Sequence, residues 1–255
     1  MKLLTPLALL LALQLCAPAA QVGKDTSKTA GPQKVRPAPA RTIVCIDPGH
    51  PSEVASGKNV QNGTSENRAN WAVATKLREE LEARGYEVVM TKASEDELVR
   101  NKDRALVANR ARASLMIRLH CDASAERGFA VYYPDRRGRA KDGTTGPGAS
   151  VIEESRRAAE ALHSGLAEGL KGALEDNGVR TDFQTKVGRD QGGALTGSIF
   201  SEVPVVTIEM VVLSHDSDAE FIKTEGGQRR MAEAIARGVE RYVGPSKTAP
   251  LRKKE

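Results

Sequence analysis

Three stretches of this chain would leave a strand no polar face to show to water. "TIVCI" (42–46), "SLMIRLH" (114–120) and "PVVTIEMVVL" (204–213) are nearly continuous runs of β-branched and aliphatic residues. Strands of that kind are buried on both faces, inside a parallel sheet with helices packed against it. Parallel neighbours need long crossovers, and the sequence supplies helices to make them. After "TIVCI" comes a polar loop over 51–64, then a helix with Ala69, Val73, Leu77 and Leu81 as its apolar stripe. Thr64 or Ser65 caps it, Glu66 sits in its first turn, and Gly85 ends it. A second helix is expected over 96–112 with Leu98, Leu106, Val107 and Ala111 inward, a long third over 149–175, and a closing one over 225–243. Residues 86–91 and 128–133 read as further strands, and 134–148 as a mobile, glycine-rich loop with nothing to bury. The fold class is therefore α/β: a single domain with a mostly parallel central sheet flanked by helices, its site at the carboxyl ends of the strands.

The ends of the chain read differently. Lys2, the apolar run Leu3 to Leu15 and Ala17-Pro18-Ala19 make a signal peptide over 1–19, too short in its apolar part to span a bilayer. Residues 20–41, rich in Lys, Thr, Pro, Ala and Gln, are expected to be a flexible basic linker, 42–244 the folded domain and 245–255 a disordered tail. A periplasmic or secreted protein is expected, with no transmembrane segment. The formal net charge of +5 suits an anionic wall polymer or membrane surface. Nucleic acid is excluded as a partner by 4% aromatic residues and the lack of a basic recognition helix. Cys16 leaves with the signal peptide, and Cys45 and Cys121 are expected to be buried free thiols.

The chemistry starts where the first strand stops. Asp47, Pro48 and Gly49 turn the chain out of the sheet and set His50 beyond the strand's carboxyl end. His120 ends a second strand in the same way. Glu66 opens the helix to which the first loop returns. Glu209 stands inside "VVTIEMVVL", where an unpaired carboxylate costs several kcal/mol to bury. Two histidines and one carboxylate suffice for a zinc ion that keeps a fourth position open, and a further carboxylate can then carry a proton.

"IVCIDPGH", the Glu66 helix start, "MIRLHCDAS" and "PVVTIEMVVLS" resemble, in order, the signatures of zinc-dependent N-acetylmuramoyl-L-alanine amidases, over about residues 42–243. The resemblance implies hydrolysis of the amide between N-acetylmuramic acid and L-alanine in peptidoglycan. It implies His50, Glu66 and His120 as ligands of Zn2+ and Glu209 as the catalytic carboxylate, with Arg104 and Asn109 also in place. Pro51 and Ser52 follow the first histidine where the family usually has glycines, Lys92 stands where an arginine is common, and Val212 and His215 replace a usual Phe and Asn. Some members block their own site with an inserted helix until an activator protein binds, and 134–154 is the place for such an insertion here. A monomer is expected. Two other functions remain open: another zinc peptidase acting on wall peptides, and a catalytically dead peptidoglycan-binding domain.

Overall fold

The computed structural model describes residues 42–122 and 126–246. The segments read from sequence as signal peptide (1–19) and linker (20–41) lie wholly outside these, as does the expected tail apart from residues 245 and 246.

The described chain runs β1 (Ile43–Pro48), β2 (Val60–Gln61), β3 (Thr64–Ser65), α1 (Glu66–Ala83), β4 (Glu87–Met90), α2 (Asn101–Ala111), β5 (Leu115–Asp122) and β6 (Phe129–Tyr133). It continues through β7 (Gly138–Arg139), β8 (Thr145–Gly146), α3 (Ala149–Gly169), β9 (Asp176–Thr181), a 3-10 turn, α4 (Lys186–Asp190) and α5 (Thr196–Ile199). It closes with β10 (Val205–Val212), α6 (Asp216–Lys223) and α7 (Glu225–Val243). One six-stranded sheet has the order β4-β1-β5-β10-β6-β9, and only the β10–β6 pair is antiparallel. The expected mostly parallel sheet is what forms.

Alternation along the central strands sorts the two faces of this sheet. Val44 and Ile46 of β1, Leu115, Ile117 and Leu119 of β5, and Val206, Ile208 and Met210 of β10 join the main core with α1, α3 and α7. The intervening residues face α2 and lie in rows, because neighbouring strands are in register. Cys45, Met116 and Val205 form the first row and pack on Ala108. Asp47, Arg118 and Thr207 form the second, and His120 and Glu209 the third. This face turns from apolar to charged toward the carboxyl ends of the strands, where the site is.

Three expectations are corrected. The second helix starts at Asn101, not at 96, and buries Arg104, Ala105 and Ala108, while Leu98 is left exposed. Side chains claim the backbone before it: Glu97 accepts from the Ala93 amide at 2.5 Å and Arg104 Nε donates to the Val99 carbonyl at 2.9 Å. The third helix ends at Gly169, short of 175, and Gly172 follows at φ 76°. Residues 134–148 form no free loop: β7 and β8 pair, and Arg139 N donates to the Gln191 carbonyl at 2.7 Å. That docks the ribbon on the segment between β9 and β10.

Candidate active site

His50 leaves β1 in the left-handed region, φ 59°, a conformation a histidine keeps only when its surroundings demand it. Several bonds impose it. Gly49 N donates to the Leu119 carbonyl at 2.9 Å, extending the β1–β5 pairing past the strand. Asn70 Nδ2, on the second turn of α1, donates to the Gly49 carbonyl at 3.2 Å. The buried Lys92 ammonium donates to the His50 carbonyl, to Asn67 Oδ1 at 3.1 Å and to the Glu95 carbonyl at 2.8 Å. Burial lowers the Lys92 pKa to about 8, with Arg104 adding to the effect.

The loop after His50 comes back through the β2–β3 hairpin, held by Asn62 Nδ2 on the Leu213 carbonyl at 3.0 Å. Ser65 caps α1 by accepting from Arg68 N at 3.4 Å, which fixes where Glu66 begins the helix. Glu66 then reaches both histidines: Oε2 lies 3.1 Å from His50 Nε2, and Oε1 lies 3.0 Å from His120 Nδ1. His50, Glu66 and His120 each offer one donor atom within 4.8 Å of the others. The two glycines behind this trio are in contact with the rings. A Cβ on Gly49 would lie 2.4 Å from the His120 ring, and one on Gly57 2.5 Å from the His50 Cβ.

The group fits a metal ion. Its contacts of 3.0 and 3.1 Å are near the ~3.3 Å that separates donors around a tetrahedral ion with bonds of about 2.0–2.1 Å. His120 Nε2 and Glu209 Oε2 are buried without a hydrogen-bond partner among the described residues. His50 Nδ1 donates to the Ala55 carbonyl at 3.2 Å, which leaves Nε2 to face Glu66. Burial opposes charge on both rings. At His50 the hydrogen bond and charge of Glu66 outweigh it and raise the pKa; at His120 burial prevails and lowers it. Burial would also raise Glu66, but hydrogen bonds from His120 and His50 hold it well below the usual carboxylate range.

Glu209 lies beside His120 in register and belongs to no donor group among the described residues. Burial, then the charges of Glu66 and Asp122, push its carboxyl well up. The four residues named from the sequence therefore meet at one place. Arg104 and Asn109, also named, act behind it. Arg104 Nη1 donates to Asp47 Oδ1 at 2.7 Å and to the Pro48 carbonyl at 2.6 Å, and its Nη2 to the Pro51 carbonyl at 2.8 Å. Asn109 donates to the Phe200 carbonyl at 2.9 Å.

Sequence reasoning missed one wall of the cleft. Thr185, Val187, Gln191, Leu195, Thr196 and Gly197, between β9 and β10, line it opposite His50 and Glu209. The capping pairs Thr181–Gln184 and Thr185–Gly188 were the available signal for the short turns there. Asp47 was read only as a turn residue. Among the described residues, Cys45 and Cys121 are free and buried, as expected.

Residues 44–241 match the family of N-acetylmuramoyl-L-alanine amidases, Amidase_3. The N-acetylmuramoyl-L-alanine amidase AmiC of Neisseria meningitidis is 25% identical over 232 residues, 81% of this chain. The chain spans only 54% of that relative's length. The catalytic domain of CwlV, an N-acetylmuramoyl-L-alanine amidase from Bacillus (Paenibacillus) polymyxa, superposes with a TM-score of 0.62 at 24% identity, covering 80% of this chain and 99% of that one. The CwlD amidase of Clostridioides difficile, solved in complex with the GerS lipoprotein, gives 0.60 at 20% identity, covering 79% and 98%. The chain belongs to the N-acetylmuramoyl-L-alanine amidase family.

Proposed function

We propose that this protein uses zinc to hydrolyse the amide between N-acetylmuramic acid and L-alanine in peptidoglycan. The observation that carries the reading is the His120–Glu209 row: a donor of a three-residue metal group stands in register with a half-buried carboxylate whose buried Oε2 has no hydrogen-bond partner among the described residues. His50, Glu66 and His120 are the residues that would hold the ion. Zinc held there would supply Lewis acidity, acidifying water and polarising a carbonyl.

Glu209 moves the proton. Its carboxylate takes one from water as the water oxygen attacks the amide carbonyl carbon. It returns that proton to the amide nitrogen as the C–N bond breaks. The products are a free carboxyl on the muramic lactyl group and a peptide with an L-alanine amine.

The same reading takes the protein as exported, to the periplasm or beyond, through residues 1–19. No helix among the described residues is long and apolar enough to cross a membrane. A partner protein belongs to it too; CwlD, of the same fold, is solved in complex with the GerS lipoprotein. Mass spectrometry of peptidoglycan digested by zinc-loaded protein tests the reading. Free lactyl carboxyls with peptides beginning at L-alanine are expected. Peptides trimmed at their other end would instead make it a wall peptidase, and intact wall with bound protein a binding domain.

A further inference from the structure

The row beside the reacting one, Asp47–Arg118–Thr207, takes no part in the mechanism above, and its charges do not cancel. The single Asp47 carboxylate serves two guanidinium groups, Arg104 at 2.7 Å and Arg118 at 3.0 Å. Arg104 turns its other donors to backbone carbonyls. Arg118 gives Nε to Asp47 and Nη2 to Asn101 Oδ1 at 3.0 Å, while its Nη1 has no hydrogen-bond partner among the described residues. Beside it, Thr207 Oγ1 is buried and also unpartnered among them. Asp182, another buried acid near Arg118, accepts from Leu195 N at 3.1 Å and forms no ion pair with it. Burial pushes the Asp182 carboxyl up, toward its neutral form.

Arg118 and Thr207 line the same cleft of about 300 Å³ as His120 and Glu209. We propose that they form a carboxylate-binding subsite for the peptide side of the substrate, one residue beyond the scissile amide. This rests on the amidase reading. The carboxyl of the muramic lactyl group is consumed in that amide, so the acyl side brings no anion here. The peptide side brings one wherever the residue after alanine has a free α-carboxylate. The spacing agrees. Rows two residues apart along a strand are separated by about 6.6 Å. From the scissile carbonyl, the bonds to the alanine Cα and one further Cα step of about 3.8 Å cover that distance. A guanidinium edge and a hydroxyl are the donors that geometry asks for.

Calorimetry separates this from the amidase reading. The probes are N-acetylmuramoyl-L-alanyl-D-glutamate and its α-carboxamide, titrated into the zinc-loaded full chain carrying Glu209→Gln so that neither is consumed. The carboxylate should bind more tightly by on the order of tenfold or more. Thr207→Val, a change of nearly equal shape that removes only an unpartnered hydroxyl, should shrink that preference. Arg118→Gln should abolish it. Equal binding of the two probes, no binding of either, or a preference that survives both changes overturns the subsite. Hydrolysis is measured separately on the unsubstituted protein. Cleavage of both probes with equal kcat/KM upholds the amidase and overturns the subsite. A binding preference without cleavage upholds the subsite and sinks the amidase.

Discussion

Asp47 gives the strongest test of how this site is held up. Its side chain has no exposed surface and accepts from Thr91 Oγ1 at 2.6 Å, Arg104 Nη1 at 2.7 Å and Arg118 Nε at 3.0 Å. Removing one partner of a buried ion pair costs about 3–5 kcal/mol, because the other charge stays buried. Asp47→Asn keeps an oxygen for Thr91 and Arg104, and Arg104 retains its carbonyls, so it belongs near about 3 kcal/mol. Asp47→Ala removes every acceptor and belongs near about 5 kcal/mol. Against a total of about 5–15 kcal/mol, either loss is large. Urea unfolding should show lower midpoints at an unchanged slope. The dependence on pH identifies the cause. Burial alone would raise the Asp47 pKa, but Arg104, Arg118 and Thr91 hold it well below the ordinary value. Its contribution is therefore complete above the unfolded pKa of about 3.9 and is lost as pH falls toward the folded value. The gap between wild type and Asp47→Asn should narrow below about pH 4. A loss under about 1 kcal/mol at neutral pH, or a gap that ignores acid, refutes the reasoning.

Glu209→Gln should retain its zinc while turnover of a peptidoglycan fragment falls by about 10²–10⁴; zinc lost from this variant, by elemental analysis, would make Glu209 a ligand instead. His50→Ala, Glu66→Ala and His120→Ala should each lower zinc content, and chelation should lower the melting temperature of the wild type but not of these variants. Cys45 and Cys121 should resist alkylation in the native protein, since burial pushes both thiols up, and should both be labelled after denaturation without reductant. A peptide in which either remains unlabelled contradicts free thiols.

The sequence announces what depends on short-range pattern. β1, β5 and β10 are legible because two-sided burial leaves only apolar side chains, and the helix over 225–243 because its apolar stripe is regular. His50 stands out as a polar residue just past β1, His120 as one near the end of β5, which runs on to Asp122, and Glu209 as a charge inside β10. Arg118 breaks an apolar strand in the same way, yet its meaning lies in Asp47, 71 residues away in sequence. Tertiary pairing of that kind leaves no local trace. The cleft wall between β9 and β10 was missed because its turns of three to five residues show no hydrophobic period and leave only their capping pairs as a signal. The ribbon over 134–148 looked free because its anchors are a backbone bond to Gln191 and side-chain contacts to distant partners, Asp142 to Lys102 and Arg136 to Phe183, none of which composition reveals.

The glycines behind the two histidines have a consequence for chains related to this one. Gly49 and Gly57 leave no room for a methyl group beside the rings they support. An alanine at either position would displace a histidine while every donor residue stayed in place. A survey of related chains that scores only the proposed ligands and Glu209 would therefore miss a change able to disturb them.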